Sequence, residues 1–101
     1  MESPTLVDVW TVDPSRREEL VERVREVLRN VVAKQPGFVS AQAYESTDGG
    51  SVMVAIVMRS IKERQELTDS AEVQTALREL RAIAHSQVRL YRLIESLGQA
   101  G

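Results

Sequence analysis

Three side chains are candidates for moving a proton or orienting a ligand. His85 is the single histidine of the chain, and imidazole is the side chain most easily poised near neutral pH to act as a general base. Tyr44 and Gln42 lie two residues apart in an extended segment, where a hydroxyl and an amide could hydrogen-bond a ligand. We take Tyr44, His85 and Gln42 as candidate catalytic residues. The alternative for His85 and Gln42 is an exposed position without a chemical role.

Aromatic, sulfur-containing and cationic residues in extended segments provide candidates for the walls of a ligand pocket. Trp10 and Tyr91 lie in such segments, and an indole can stack on an aromatic ligand. Met58 fits a flexible apolar wall, and an inward-pointing Arg89 could hold a carboxylate or a phenolate. Core packing or a subunit interface is the alternative for Trp10, and core packing is the alternative for Met58. For Arg89 the alternative is an edge-strand charge that discourages aggregation.

The composition excludes several other kinds of site. The chain has no cysteine and one histidine, so we expect no metal site within one chain. The 13 basic and 15 acidic residues give a net charge of −2, which does not favour nucleic-acid binding. No apolar stretch approaches the roughly 18 residues that span a bilayer, and the first residues do not resemble a signal peptide. We therefore predict a cytoplasmic protein that binds neither nucleic acid nor membrane.

Four segments rich in β-branched residues are predicted as strands. The turn residues Asp48, Gly49 and Gly50 separate the second strand from the third, which predicts an antiparallel hairpin. The third strand is apolar on both faces and is therefore expected near the centre of the sheet. The predicted strands are Thr5–Val12, Phe38–Glu45, Ser51–Arg59 and Gln87–Leu97.

Apolar residues at three- and four-residue spacing predict the helices between the strands. Three pairs have the capping-box pattern, which marks helix starts: Ser15 with Glu18, Ser60 with Glu63, and Asp69 with Glu72. The predicted helices follow the cap at Ser15 to about Ala33, and run from Ile61 to about Thr68 and from Ser70 to about Ala84. Gly98–Gly101 is predicted to be a frayed tail.

This order predicts one domain over residues 1–101, of the α+β class. The arrangement is ferredoxin-like, β-α-β-β-α-β, with a four-stranded antiparallel sheet and helices on one side. The first strand nevertheless has Leu6 and Trp10 on one parity and Val7 and Val9 on the other. A monomer would then expose an apolar patch of several hundred Å² on the uncovered face, which soluble monomers rarely tolerate. The sequence therefore predicts a homodimer.

Short motifs follow one another along nearly the whole chain: Val12-Asp13-Pro14, Gln35-Pro36-Gly37-Phe38, Tyr44-Glu45-Ser46, Met58-Arg59-Ser60 and Asp69-Ser70-Ala71. Together they resemble antibiotic-biosynthesis-monooxygenase domains. The resemblance implies a dimeric α/β barrel of two ferredoxin-like subunits, with a pocket between sheet and helices. Many members oxidise aromatic polyketide intermediates with molecular oxygen and no metal or flavin, so no cofactor is expected. A related branch binds and degrades haem.

The chain departs from this family where the resemblance implies functional residues. Met58 stands where oxygenases of the family carry tryptophan, and Val54 and Val7 stand at the positions of functional asparagines. Glu66 or Leu67 replaces a histidine, and without that ligand haem degradation is not expected. The complete set of candidate pocket residues is Val7, Val54, Ile56, Met58, Trp10, Arg89 and Tyr91.

Two main functions stay open from the sequence. The first is a cofactor-independent monooxygenase acting on a hydrophobic, polyketide-like aromatic molecule by desolvation and orientation. The second is a non-catalytic dimer that binds a small apolar ligand, which the missing tryptophan, asparagine and histidine favour. In both, the partner is a small hydrophobic or aromatic molecule. A purely structural dimer is a third hypothesis.

Overall fold

The computed structural model describes residues 3–98, so only Gly98 of the predicted tail lies within it. One antiparallel sheet of four strands has the order β2-β3-β1-β4. Helices cover one of its faces, as the ferredoxin-like α+β prediction requires. The strands are β1 (Thr5–Thr11), β2 (Phe38–Glu45), β3 (Ser51–Met58) and β4 (His85–Tyr91), and the helices are α1 (Arg17–Asn30), α2 (Ile61–Asp69) and α3 (Ala71–Arg81).

The alternation of side chains along each strand separates two faces of the sheet. In β1, Asp8 and Trp10 are buried while Val9 between them is exposed. In the neighbouring β3, Val54 is buried and Met53 is exposed, and the register pairs Asp8 with Val54 and Val9 with Met53. We call the helix-covered side the inner face and the other side the open face.

The core lies between the inner face and the helices. Trp10, Leu20 and Met58 are its largest fully buried side chains. Leu67 and Leu80 reach the same cluster from α2 and α3. Burying a large apolar side chain contributes roughly 1.5–3 kcal/mol each, so the helices are held on this face by their apolar stripes.

The start of α1 differs from the predicted Ser15–Glu18 capping box. Asp13 is the cap, because its Oδ1 accepts the backbone N–H of Ser15 at 2.9 Å. A single 3-10 turn, Pro14–Arg16, then precedes α1. Pro14 fits the first position of that turn because it has no N–H to satisfy there. The predicted capping box is therefore wrong, and α1 begins at Arg17, one residue later than a cap at Ser15 predicts.

The caps of the two later helices confirm one prediction and shift the other. Ser60 caps α2, and its Oγ accepts the backbone N–H of Glu63 at 3.1 Å, as predicted. The cap of α3 is Ser70, whose Oγ accepts the N–H of Val73 at 3.4 Å. Asp69, the predicted cap, is instead the last residue of α2.

The last strand is shorter and earlier than the predicted Gln87–Leu97. The register pairs Thr5 with Tyr91, so the next pair would place Arg92 opposite Pro4. Proline has no N–H to donate to the ladder, and the strand ends there. At its other end β4 begins at His85, because α3 ends at Arg81 rather than near Ala84.

Candidate functional site

A cavity of about 250 Å³ lies between the inner face and the helices. Its floor is formed by strand side chains of one parity: Leu6, Asp8, Trp10, Val54 and Ile56. Its roof comes from the three helices and the turn after α1: Val24, Val27, Leu28, Val32, Leu67, Thr68, Val73, Gln74, Leu77, Leu80 and Arg81. Val88 of β4 completes the lining.

The sequence produces this cavity by spacing on both sides. Leu6, Asp8 and Trp10 lie at alternate positions of β1 and so share a face. On α1, Val24, Val27 and Leu28 recur at helical spacing and face them. The result is a mainly apolar space of the kind that binds small molecules in proteins.

One charged group interrupts the apolar lining. Asp8 is only 7% exposed and is the one buried polar or charged residue of the described chain. Within residues 3–98, its buried Oδ1 accepts no hydrogen bond. Burial raises the pKa of Asp8 to about 6, against the opposing effects of the positive charge of Arg81 and of the Trp10 indole. The cavity therefore contains a carboxylate that is a stronger base than an ordinary aspartate.

The exposed residues of the lining mark the mouth of the cavity. Gln74, Arg81 and Val88 line it and are themselves exposed. The side-chain Nε2 of Gln74 donates a hydrogen bond to the backbone carbonyl of Thr68, which ties α3 to the end of α2. A ligand entering here would pass Arg81 on its way to Asp8.

This arrangement can bind an apolar molecule and accept a proton or a hydrogen bond from it. Exclusion of water by the apolar walls strengthens any contact with the carboxylate. A buried carboxylate with a raised pKa in a cleft is a typical general-base candidate. Within the described residues, no group of three His, Cys, Asp or Glu side chains comes together as metal ligands would.

Three of the candidate pocket residues line the cavity. They are Trp10, Val54 and Ile56. Met58 is buried on the same face but packs in the core beside the cavity rather than lining it. Leu67, one of the two residues at the histidine position, lies in the roof.

The other candidate residues lie on the open face, as their register pairs with open-face positions of β1 and β3 indicate. Within this group, the hydroxyl of Tyr44 donates a hydrogen bond to Oε1 of Gln42 at 3.1 Å. The sheet separates all of them from the cavity. The residues so placed are Val7, Gln42, Tyr44, His85, Arg89 and Tyr91.

Asp8 is the site residue that the candidate list lacks. Its signal in the sequence is a carboxylate in the middle of a strand that is apolar on both parities. Burying a carboxylate without a partner is costly, so such a position is either solvated or functional. The sequence alone did not indicate which face of β1 is buried against the helices.

The length and apolar character of the helices bear on whether the chain could span a membrane. No helix among residues 3–98 is both long and apolar enough to cross a bilayer. This agrees with the sequence, in which no long apolar stretch is present.

A comparison with protein families gives one match. The family model described as antibiotic biosynthesis monooxygenase matches residues 5–79. The matched segment runs from β1 into α3 and includes Asp8, Trp10 and most of the cavity lining. No curated protein matches the sequence significantly.

Solved structures of similar proteins share the fold at low identity. SnoaB of Streptomyces nogalater, described as a cofactor-independent oxygenase, is 22% identical with a TM-score of 0.78, covering 98% of this chain and 100% of SnoaB. Rv0793 of Mycobacterium tuberculosis is 18% identical with a TM-score of 0.79, covering 95% and 100%. A structure described as antibiotic biosynthesis monooxygenase is 8% identical, with a TM-score of 0.78, covering 92% and 100%.

Proposed function

Because the chain belongs to the antibiotic biosynthesis monooxygenase family, we propose that it is a cofactor-independent monooxygenase that oxidises a hydrophobic aromatic molecule. The observation that carries the proposal is the apolar cavity between the inner face and the helices, with one buried carboxylate in its floor. SnoaB, which has the same fold, is described as an oxygenase that needs no cofactor. The activity proposed here is of that type.

The lining of the cavity supports an apolar aromatic substrate. Trp10 offers an indole in the floor, and Ile56 and Leu77 offer aliphatic walls on opposite sides. Aromatic rings bury much apolar area and pack well against such surfaces. The exposed mouth at Gln74 and Arg81 leaves room for a polar edge of the substrate to stay near water.

The chemistry in this proposal belongs largely to the substrate. A phenol or an anthrone loses a proton, and the resulting anion passes electrons to molecular oxygen. Oxidation of a ring methylene to a carbonyl takes one oxygen atom from O₂ and releases the other as water. The protein holds the ring, excludes bulk water and favours the anion. None of these tasks requires the family's tryptophan in place of Met58.

A second candidate function is a binding protein that does not turn its ligand over. The observation that favours it is the apolar character of positions where the family resemblance implies polar residues. Val54 and Leu67 both line the cavity, and neither can donate or accept a hydrogen bond through its side chain. This leaves Asp8 as the main polar group in the floor.

The active form in this proposal is a homodimer in the cytoplasm. The open face carries apolar side chains that remain exposed in one subunit, including Val9 at 36%, Met53 at 38% and Tyr44 at 50%. Burying them against a second copy would remove this surface from water. The absence of cysteine from the chain is compatible with a reducing compartment.

Oxygen uptake with a defined anthrone tests the proposed activity. Purified protein is mixed with dithranol in air-saturated, chelator-treated buffer, and oxygen consumption and quinone formation are followed together. We expect a rate well above the protein-free control. A rate equal to that control, with dithranol bound, would favour the binding protein.

A matched pair of variants shows whether the cavity is responsible. Val54→Phe fills the floor, whereas Glu26→Phe places the same side chain at an exposed position on α1, away from both the cavity and the open face. We expect Val54→Phe to remove most of the rate and Glu26→Phe to retain most of it. Equal loss in both would contradict a site in the cavity.

A further inference from the structure

We infer that Asp8 is the proton acceptor of the cavity, and that a ligand hydroxyl, or an equally acidic C–H, occupies the space beside its Oδ1. The inference rests on the proposed function, because it needs a ligand in the cavity. It assigns a role to a residue that neither the candidate motifs nor the family match identifies.

The first argument is the unsatisfied oxygen. Asp8 Oδ1 is buried and, within residues 3–98, accepts no hydrogen bond, although Asp8 lines the cavity. Leaving a buried acceptor unpaired costs about 1–3 kcal/mol, and more for a charged group. A ligand that donates a hydrogen bond to this oxygen offsets that cost, whereas an ether or a hydrocarbon cannot.

The second argument is the surroundings of the carboxylate. Its neighbours in the floor, Leu6, Val54 and Ile56, are aliphatic and offer no donor. The indole N–H of Trp10 is the donor among the described floor residues, and it makes no hydrogen bond to Oδ1. Among the described residues, Arg81 is the only other ionisable side chain in the lining, and it lies at the exposed mouth. Oδ1 is therefore open to a donor that enters the cavity.

The third argument is charge balance during proton transfer. The ligand O–H bond breaks, a new O–H bond forms on Asp8, and the electron pair stays on the ligand as an anion. The cavity carries one negative charge before and after the step, so no new charge is buried. The anion of an aromatic ring spreads its charge over many atoms, which is less costly in an apolar site than a compact carboxylate.

The acid–base properties of Asp8 fit this role. Burial raises the pKa of Asp8 to about 6, so the group is ionised at neutral pH and holds a transferred proton better than an exposed aspartate. Arg81 is the charged group that faces Asp8. The positive charge of Arg81 favours an anion in the cavity, whether that anion is the Asp8 carboxylate before proton transfer or the ligand after it.

A matched pair of probes tests the inference directly. 2-Naphthol and 2-methoxynaphthalene share a ring system, but only the first can donate a hydrogen bond. Their affinities are measured by equilibrium dialysis at pH 7.5 for the wild type, Asp8→Asn, Asp8→Leu and Glu26→Gln. The last variant makes the same change in net charge as Asp8→Asn at an exposed position on α1.

We expect the wild type and Glu26→Gln to prefer 2-naphthol by about tenfold or more, as for a hydrogen bond to a buried charge. In Asp8→Asn the preference should fall below about threefold, and in Asp8→Leu it should vanish. Equal affinity of the wild type for the two probes, or an unchanged preference in Asp8→Leu, would overturn the role of Asp8. Failure of both probes to bind the wild type would instead contradict the ligand cavity itself.

Proton transfer has its own readout under anaerobic conditions, where oxidation cannot follow. Dithranol is added to the protein at pH 7.5, and the absorption band of its anion is recorded. The band should form with the wild type and with Glu26→Gln, and should be several-fold weaker with Asp8→Asn. An equally strong band with Asp8→Leu would contradict proton transfer to Asp8.

Discussion

The inner face and the open face of the sheet are built from the same strands but differ in what covers them. On the inner face, Asp8 and Trp10 of β1 are buried beneath helices and border a cavity. On the open face, Val9 between them is 36% exposed and has no layer above it within the described residues. The inner face contains a buried carboxylate, whereas the open face has no buried charge among residues 3–98 and exposes apolar area to water.

The two faces differ in the role that we propose for each, a difference that the apolar pattern of β1 on both parities does not reveal. Burying a charge without a partner costs free energy, and a ligand that pairs with the charge offsets that cost. Exposing apolar area to water also costs free energy, and a second surface that covers the area removes this cost. We therefore propose ligand chemistry for the inner face and association for the open face, and both proposals can be tested by substitutions at adjacent residues.

The largest expected effect is the loss of Trp10. Trp10→Ala removes a side chain that is 1% exposed, and we expect the free energy of unfolding to fall by about 3–5 kcal/mol. Val9→Ala on the open face should cost less, and its cost should depend on protein concentration if that face is a dimer contact. Denaturant titration at two concentrations measures both. A loss for Trp10→Ala no larger than for Val9→Ala would contradict the assignment of the faces.

A gain in stability is expected from neutralising Asp8. The pKa of Asp8 is about 6 in the fold against an ordinary value of 3.8, so its ionisation opposes folding. The contribution of Asp8 to the stability of the wild type is fully present below pH 3.8 and is lost as the pH rises through about 6. At pH 7.5 Asp8→Asn should therefore be more stable by about 2–3 kcal/mol.

The pH dependence distinguishes this gain from a general effect of the substitution. The difference between Asp8→Asn and the wild type should shrink as the pH is lowered from 7 to 4, while Glu26→Gln should show no such trend. Thermal unfolding of the wild type and both variants over this pH range measures these differences in stability. A difference that is independent of pH would contradict a destabilising buried carboxylate.

A smaller effect is expected on the open face. Met53→Lys places a charge among exposed apolar side chains, and we expect dimer affinity to fall by about tenfold or more, or about 1.4 kcal/mol. The unfolding of the isolated subunit should change little, because Met53 is 38% exposed. Sedimentation velocity over a dilution series measures the affinity, with Glu26→Lys as the control. Unchanged affinity would argue against a dimer through this face.

The smallest effect comes from a helix cap, a feature that only the inner face depends on. Ser60→Ala removes the acceptor for the Glu63 N–H at the start of α2, and we expect a loss of about 1 kcal/mol. Ser40→Ala, at an exposed position of β2, should change stability by less than about 0.5 kcal/mol. Equal changes in the two variants, measured by urea unfolding, would mean that the cap contributes nothing to the helical layer.

The fold was predictable from the sequence because its signals are local. The alternation in Phe38–Glu45 and the Asp48–Gly50 turn mark a hairpin that the structure confirms, with the third strand ending at Met58 rather than Arg59. The start of α1 was predicted wrongly, since Ser15 and Asp13 both offer caps and Pro14 fits the position directly after Asp13. The end of β4 depends on Pro4, which is far away in sequence, and could not be found from the strand's own residues.

The site was less predictable because it depends on which face the helices cover. In β1, Val7 and Asp8 point to opposite sides, and both parities of the strand are apolar enough to be buried. Tyr44 and His85, two of the candidate catalytic residues from the sequence, lie on the open face. Asp8 has no motif around it, and its importance follows only from burial beside a cavity, which is a property of the packed structure.

The central claim is that a ligand binds the inner-face cavity and meets Asp8 there. A crystal structure of the protein with 2-naphthol tests it most directly. We predict the naphthalene ring against Trp10 and Ile56, with its hydroxyl at about 2.7 Å from Asp8 Oδ1. A ring bound on the open face beside Tyr44, with the cavity unchanged, would contradict the account.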